Sequence, residues 1–148
     1  MVNKATFAGV LHACANIEAL EDGRAIHSFL VNLSVDLDDV MTSSLINMYG
    51  KYGHLEDARW VFKEMSDRDV VTWNVMIRVF SRLGLEKEVL NLFHQMQNNC
   101  VKPTRVSFIS IIDICGHVTL PERGHLVHVC IIDSDCSLDM VVNNALVN

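Results

Sequence analysis

Apolar residues along the chain recur at helical spacing and come in paired sets. Val71, Val75, Ile77, Val79 and Phe80 form one set, and Val89, Leu90, Leu92, Phe93 and Met96 form the next, with Gly84 between them. Leu45, Ile46, Met48 and Tyr49 are followed in the same way by Leu55, Ala58, Val61, Phe62 and Met65, with Gly53 between. Spacings of three and four predict amphipathic helices, and a glycine after each first set accommodates the left-handed conformation that ends a helix. Asp69 and Pro103 mark the gaps between pairs.

The pairs repeat. A shift of 101 positions lays residues 4–38 on 105–139, matching Phe7 with Phe108, Cys14 with Cys115, Glu21 with Glu122, Gly23 with Gly124 and His27 with His128. A shift of 31 relates residues 39–69 to 70–104, placing Ile46 on Ile77, Gly53 on Gly84, Phe62 on Phe93 and Met65 on Met96. The chain therefore divides into units 4–38, 39–69, 70–104 and 105–139, with 140–148 opening a further one. A helix pair that is apolar on both flanks cannot bury itself alone, so neighbours must stack. The predicted fold is all-α, a right-handed α-solenoid of helix-turn-helix repeats.

The residues of the units carry a resemblance. Val70-Val71-Thr72-Trp73-Asn74-Val75-Met76-Ile77, then Leu92-Phe93-His94-Gln95-Met96 and Val101-Lys102-Pro103, resemble the pentatricopeptide repeat consensus VVTYNTLI…LFxxM…IKPD. Residues 4–38 resemble the family's long variant, through Leu11-His12-Ala13-Cys14-Ala15 and Leu20-Glu21-Asp22-Gly23-Arg24. Residues 39–69 resemble its 31-residue short variant, through Ser43-Ser44-Leu45-Ile46-Asn47-Met48-Tyr49-Gly50-Lys51-Tyr52-Gly53. Residues 70–104 are similar to the standard unit and 105–139 to the long one. The alternation resembles the plant PLS-type subfamily, which implies single-stranded RNA binding in organellar RNA editing or processing, in mitochondria or plastids.

In that family each unit faces one base, read by two or three side chains. The resemblance assigns the second residue of each unit, Ala5, Val40, Val71, Val106 and Val141, to packing against base faces. It assigns base reading to the fifth and last residues: Ser43 with Asp69, Asn74 with Thr104, Ala8 with Asp38, Ile109 with Asp139, and Asn144 in the last, partial unit. By the family's code Ser43/Asp69 favours guanine and Asn74/Thr104 a pyrimidine. An apolar fifth residue makes no base-edge hydrogen bond, so the long units are expected to discriminate poorly. The plainer reading is that Ser43 caps a helix start and Asn74 caps or links backbone, as such residues commonly do.

Composition narrows the rest. The 148 residues are 50% apolar and 20% charged, as in ordinary globular domains, and no apolar run reaches the length of a membrane span. The start carries neither a secretory nor a transit-peptide pattern, so any targeting information is expected outside this chain. Net charge is −6, against the basic balance usual for nucleic-acid binders. Five cysteines, mostly within apolar helical patterns, suggest buried thiols in a reducing compartment. His125, His128, Cys130 and Cys136 lack zinc spacing, and His128 repeats His27, so no metal or other cofactor is expected. No phosphate-binding glycine loop, nucleophile elbow, H-E-x-x-H or deaminase zinc signature occurs, which predicts a non-catalytic protein. Partners expected are single-stranded organellar RNA and editing or processing factors recruited in trans, with self-association through the apolar flank of Ile131, Val141 and Leu146. Two alternatives stay open: a protein-interaction scaffold, which the acidic balance favours, and a truncated array with little activity of its own.

Overall fold

The computed structural model describes residues 3–17 and 19–116, with side chains through Ile114. Its elements are α1 (Lys4–Asn16), α2 (Leu20–Asn32), α3 (Asp39–Lys51), α4 (Leu55–Glu64), α5 (Val70–Arg82), α6 (Glu86–Asn98) and α7 (Arg105–Gly116), with no strand among the described residues. None of these helices is long and apolar enough to cross a membrane. Asp139, Val141, Asn144, the His125/His128/Cys130/Cys136 cluster and the Ile131, Val141, Leu146 flank lie outside the described residues. The chain divides into two compact units, residues 1–79 and 80–148, and each is described by itself.

The odd-numbered helices start at the first residues of the four sequence units, and the residue ahead of each start explains why. Asp38 Oδ1 accepts the Met41 N–H at 2.9 Å, and Asp69 Oδ1 accepts the Thr72 N–H at 2.8 Å and the Thr72 hydroxyl at 3.0 Å. Asn3 Oδ1 accepts the Thr6 N–H at 3.3 Å, and ahead of α7 the Thr104 N–H donates to Ser107 Oγ at 3.0 Å. Each bond satisfies a helix-start group that has no intrahelical partner. The even-numbered helices begin with no side-chain cap. They carry acidic first turns instead: Glu21 and Asp22, Glu56 and Asp57, Glu86 and Glu88. Negative charge there complements the positive end of the helix dipole.

Within each pair the turn closes on glycine. Gly53 (φ 74°) and Gly84 (φ 70°) are left-handed. The His54 N–H reaches Tyr49 O and the Leu85 N–H reaches Phe80 O, as in a Schellman closure. The same closure recurs between pairs at Ser34 (φ 50°) and Cys100 (φ 58°), where no glycine is present.

In the first unit Leu11, Leu30, Met41, Leu45, Ile46, Met76 and Ile77 are fully or almost fully buried. Each such side chain contributes on the order of 1.5–3 kcal/mol. In the second unit Phe80, Val89, Phe93, Met96 and Phe108 form the core. Two joints between successive pairs are filled by edge-on aromatic rings, Phe62–Trp73 at 4.7 Å and Phe93–Phe108 at 5.8 Å. At the α2–α3 joint the same register holds His27 and Thr42. His27 turns to Tyr49, with Nδ1 2.7 Å from the phenol oxygen, and packs 5.3 Å from the Trp60 ring.

Candidate nucleic-acid interface

Residues at i, i+3, i+7 and i+8 or i+11 share a helix face. On α3 that face runs Val40, Ser43, Asn47, Lys51. On α5 it runs Val71, Asn74, Arg78. Val40 is 63% exposed and Val71 54%, although β-branched side chains this apolar usually earn burial. Val106 opens α7 in the same state, at 48%. An exposed valine at the first turn of three successive first helices is a repeated feature, whereas scattered surface valines would carry no message.

The assigned fifth-position residues differ in what they present. Asn74 is half-buried on the second turn of α5, and Ile109 is half-buried on α7. Ser43 is half-buried too, but its Oγ is out of reach of solvent and takes no hydrogen bond. Leaving a hydroxyl so costs about 1–3 kcal/mol. Ser43 therefore does not cap α3: that work falls to Asp38. Ala8 is 6% exposed and belongs to the cluster of Leu30 and Met41, so its methyl serves the core. Ala5, by contrast, is exposed. Among the last residues, Asp38 and Asp69 each commit Oδ1 to the following helix. Thr104 is exposed ahead of α7.

Three residues on these faces escaped the sequence reading. Asn47 is half-buried, and Lys51 and Arg78 are exposed. Lys51 Nζ donates to Asn16 Oδ1 at 3.3 Å, a surface bond easily exchanged for another acceptor. Counting four residues on from Ser43 and Asn74 would have found Asn47 and Arg78.

The acidic balance is unevenly distributed. The odd-numbered helices hold five basic residues, Lys4, Lys51, Arg78, Arg82 and Arg105, against Asp39 and Asp113. In the even-numbered helices, acidic Glu21, Asp22, Glu56, Asp57, Glu64, Glu86 and Glu88 outnumber Arg24, Arg59, Lys63 and Lys87. A net negative chain thus carries its valine-polar-basic faces on a set of helices that is net positive when taken together.

Comparisons with known proteins agree with this architecture. The family described as PPR repeat matches residues 40–70, and the PPR repeat family matches residues 68–117. The pentatricopeptide repeat-containing protein CRR2, chloroplastic, of Arabidopsis thaliana is 39% identical over 82% of this chain and 19% of its own length. A mitochondrial pentatricopeptide repeat-containing protein of the same plant is 35% identical over 82% of this chain and 22% of its own. The chain thus spans about a fifth of these relatives. The crystal structure of the pentatricopeptide repeat protein PPR10 from maize has a TM-score of 0.80 at 18% identity, over 99% of this chain and 21% of that one. PPR10 in complex with an 18-nt psaJ RNA element has a TM-score of 0.82 at 20% identity, over 99% of this chain and 22% of that one. The fold is an all-α helical repeat solenoid, and the chain belongs to the pentatricopeptide repeat family.

Proposed function

We propose that this chain is a non-catalytic segment of a PLS-type array that binds single-stranded RNA with sequence preference in organellar RNA editing or processing. The observation that carries the reading is the exposed valine opening α3, α5 and α7, followed on α3 and α5 by a polar and then a basic residue on the same face. A valine offers an apolar face to a base, a polar neighbour addresses the base edge, and a cation meets phosphate. The RNA complex of PPR10 supports this by likeness of fold, and the chloroplastic and mitochondrial relatives support an organellar setting.

Asn74 with Thr104 then addresses a pyrimidine. Ser43 with Asp69 addresses guanine, with the Asp69 carboxylate accepting from the base's N–H edge. The long units, with Ala8 in the core and Ile109 apolar, add contact without selection. Editing or processing chemistry comes from factors recruited in trans.

Fluorescence anisotropy with short RNAs that vary one base at a time tests this. Guanine opposite the Ser43/Asp69 unit should bind best, and Asp69→Asn should cut that preference by about tenfold. Asn74→Ala should flatten selection at the neighbouring base only. Equal binding of every sequence, or binding insensitive to salt, refutes the reading and leaves the protein-interaction scaffold in front.

A further inference from the structure

The first compact unit holds a cavity of about 530 Å³ between the C-terminal ends of α2 and α4 and the start of α3. That is within the range of small-molecule and side-chain receptors, roughly 300–1,000 Å³. At the fourth position of their units, Trp73 and Phe108 drive rings into the joints behind them, against Phe62 and Phe93. The α2–α3 joint has Thr42 in that register, and Thr42 is among the residues that line the cavity.

The lining has a definite chemistry. Five acidic residues line it, Asp36, Asp38, Asp39, Glu64 and Asp67, and no lysine or arginine is among the lining residues. Val31, Leu37, Val61 and the half-exposed Trp60 ring supply apolar wall. Thr42, itself wholly buried, also lines the cavity, and its hydroxyl has no hydrogen-bond partner. Beside the cavity the Lys4 ammonium donates to the Asp36 carbonyl oxygen at 2.6 Å. Asp39 accordingly titrates above the ordinary carboxylate range, through desolvation first and then the charges of Asp69, Asp38 and Asp67. Among the described residues no His, Cys, Asp and Glu side chains converge closely enough to hold a metal ion. The complement to separated carboxylates, an aromatic face and apolar walls is a planar, delocalised cation on an aliphatic stem.

The repeat supplies an internal precedent. At the end of α4, Arg68 donates Nε to Phe62 O at 2.8 Å and Nη2 to Lys63 O at 3.0 Å, with its guanidinium 4.9 Å above the Phe62 ring. One unit earlier the register of Arg68 holds Leu33 when counted from the unit start and Leu37 when counted from its end, so the end of α2 has no arginine of its own.

We propose that this cavity receives an arginine side chain presented by a protein partner. The stem lies along Val31 and Leu37, the guanidinium stacks on Trp60 and meets Asp39 and Glu64, and the Thr42 hydroxyl accepts one N–H.

The test titrates the whole chain with the peptide acetyl-Gly-Arg-Gly-amide, followed by calorimetry and by the emission of Trp60; Trp73, the other tryptophan, is 1% exposed and senses little. The arginine peptide should saturate and bind roughly tenfold or more tightly than its citrulline counterpart. Thr42→Phe, which fills the joint as its neighbours are filled, should abolish binding with helicity retained. Glu64→Gln, at the exposed end of α4, should weaken binding several-fold and guards against a folding defect in the first variant. No saturable response, equal binding of the citrulline peptide, equal binding of the lysine peptide or of spermidine, or undiminished binding by a folded Thr42→Phe protein would each overturn the assignment.

Discussion

At the scale of single residues, His27 shows what a change of side chain does to a repeating joint. Phe62 and Phe93 hold its register elsewhere, and the imidazole brings a polar group into a place built for a ring. Its Nδ1 is bonded to Tyr49, while Nε2 is buried with no partner. Burial lowers the His27 pKa below 6.5, opposed in part by the charge of Asp57. Burial and Asp57 push the Tyr49 hydroxyl up to about 12, with Arg24 opposing. Because the folded protein holds His27 neutral longer than the unfolded chain does, the unfolded state binds more protons just below pH 6.5. Stability is therefore full above that value, falls as pH drops through it, and levels off below the folded pKa. Urea midpoints at pH 7.5 and 5.5 measure the loss, and His27→Phe should narrow the gap between them. An unchanged gap would mean that another group sets the pH dependence.

At the scale of elements, helix approach rests on two glycines with opposite needs. A Cβ at Gly50 would run into the side chain of Val79, so α3 and α5 pack as closely as they do because residue 50 has none. Gly50→Ala should cost about 1–3 kcal/mol through overpacking. Gly9, on the exposed face of α1, would meet nothing within 4 Å. There, alanine should stabilise by roughly 0.5–1 kcal/mol, since glycine in a helix loses more backbone freedom on folding. Thermal melts of the two variants should move in opposite directions, and a parallel shift would contradict this packing account. Much of this level was legible in the sequence. Helical spacing is a local property, and Gly53 and Gly84 announce their turns because few other residues take a left-handed backbone cheaply. Ser34 and Cys100 take that conformation without the signal, so the turn at Cys100 was visible only through Pro103 and the turn at Ser34 carried no such mark. The second positions were legible as a register, but their exposure was not, since a valine in a helix reads as core. Ser43 and Ala8 show the limit most clearly: a register says which face a residue shares, and only packing decides how deep its last atom lies. The cavity beside Thr42 was equally hidden, because an apolar pattern does not record the space left between helix ends.

At the scale of the whole chain, the question is how a protein of net charge −6 holds a polyanion. Total charge acts over long distances and is screened within about 8 Å at physiological salt, so the local distribution decides. The acids of Glu21, Asp22, Glu56, Asp57, Glu86 and Glu88 open the even-numbered helices, where they serve the helix dipoles. Lys51 and Arg78 stand on the faces of Val40 and Val71, at the spacing that lets one cation follow each base contact. If they meet phosphate, each contributes about 0.7 to the slope of log affinity against log salt for a single strand. Lys51→Gln with Arg78→Gln should therefore reduce that slope by roughly 1.4 while leaving base preference intact. Lys63→Gln with Lys87→Gln removes the same charge from the even-numbered helices and should leave the slope unchanged. Equal slopes for the two double variants would mean that net charge alone governs binding and that the basic positions of α3 and α5 have no special part in it.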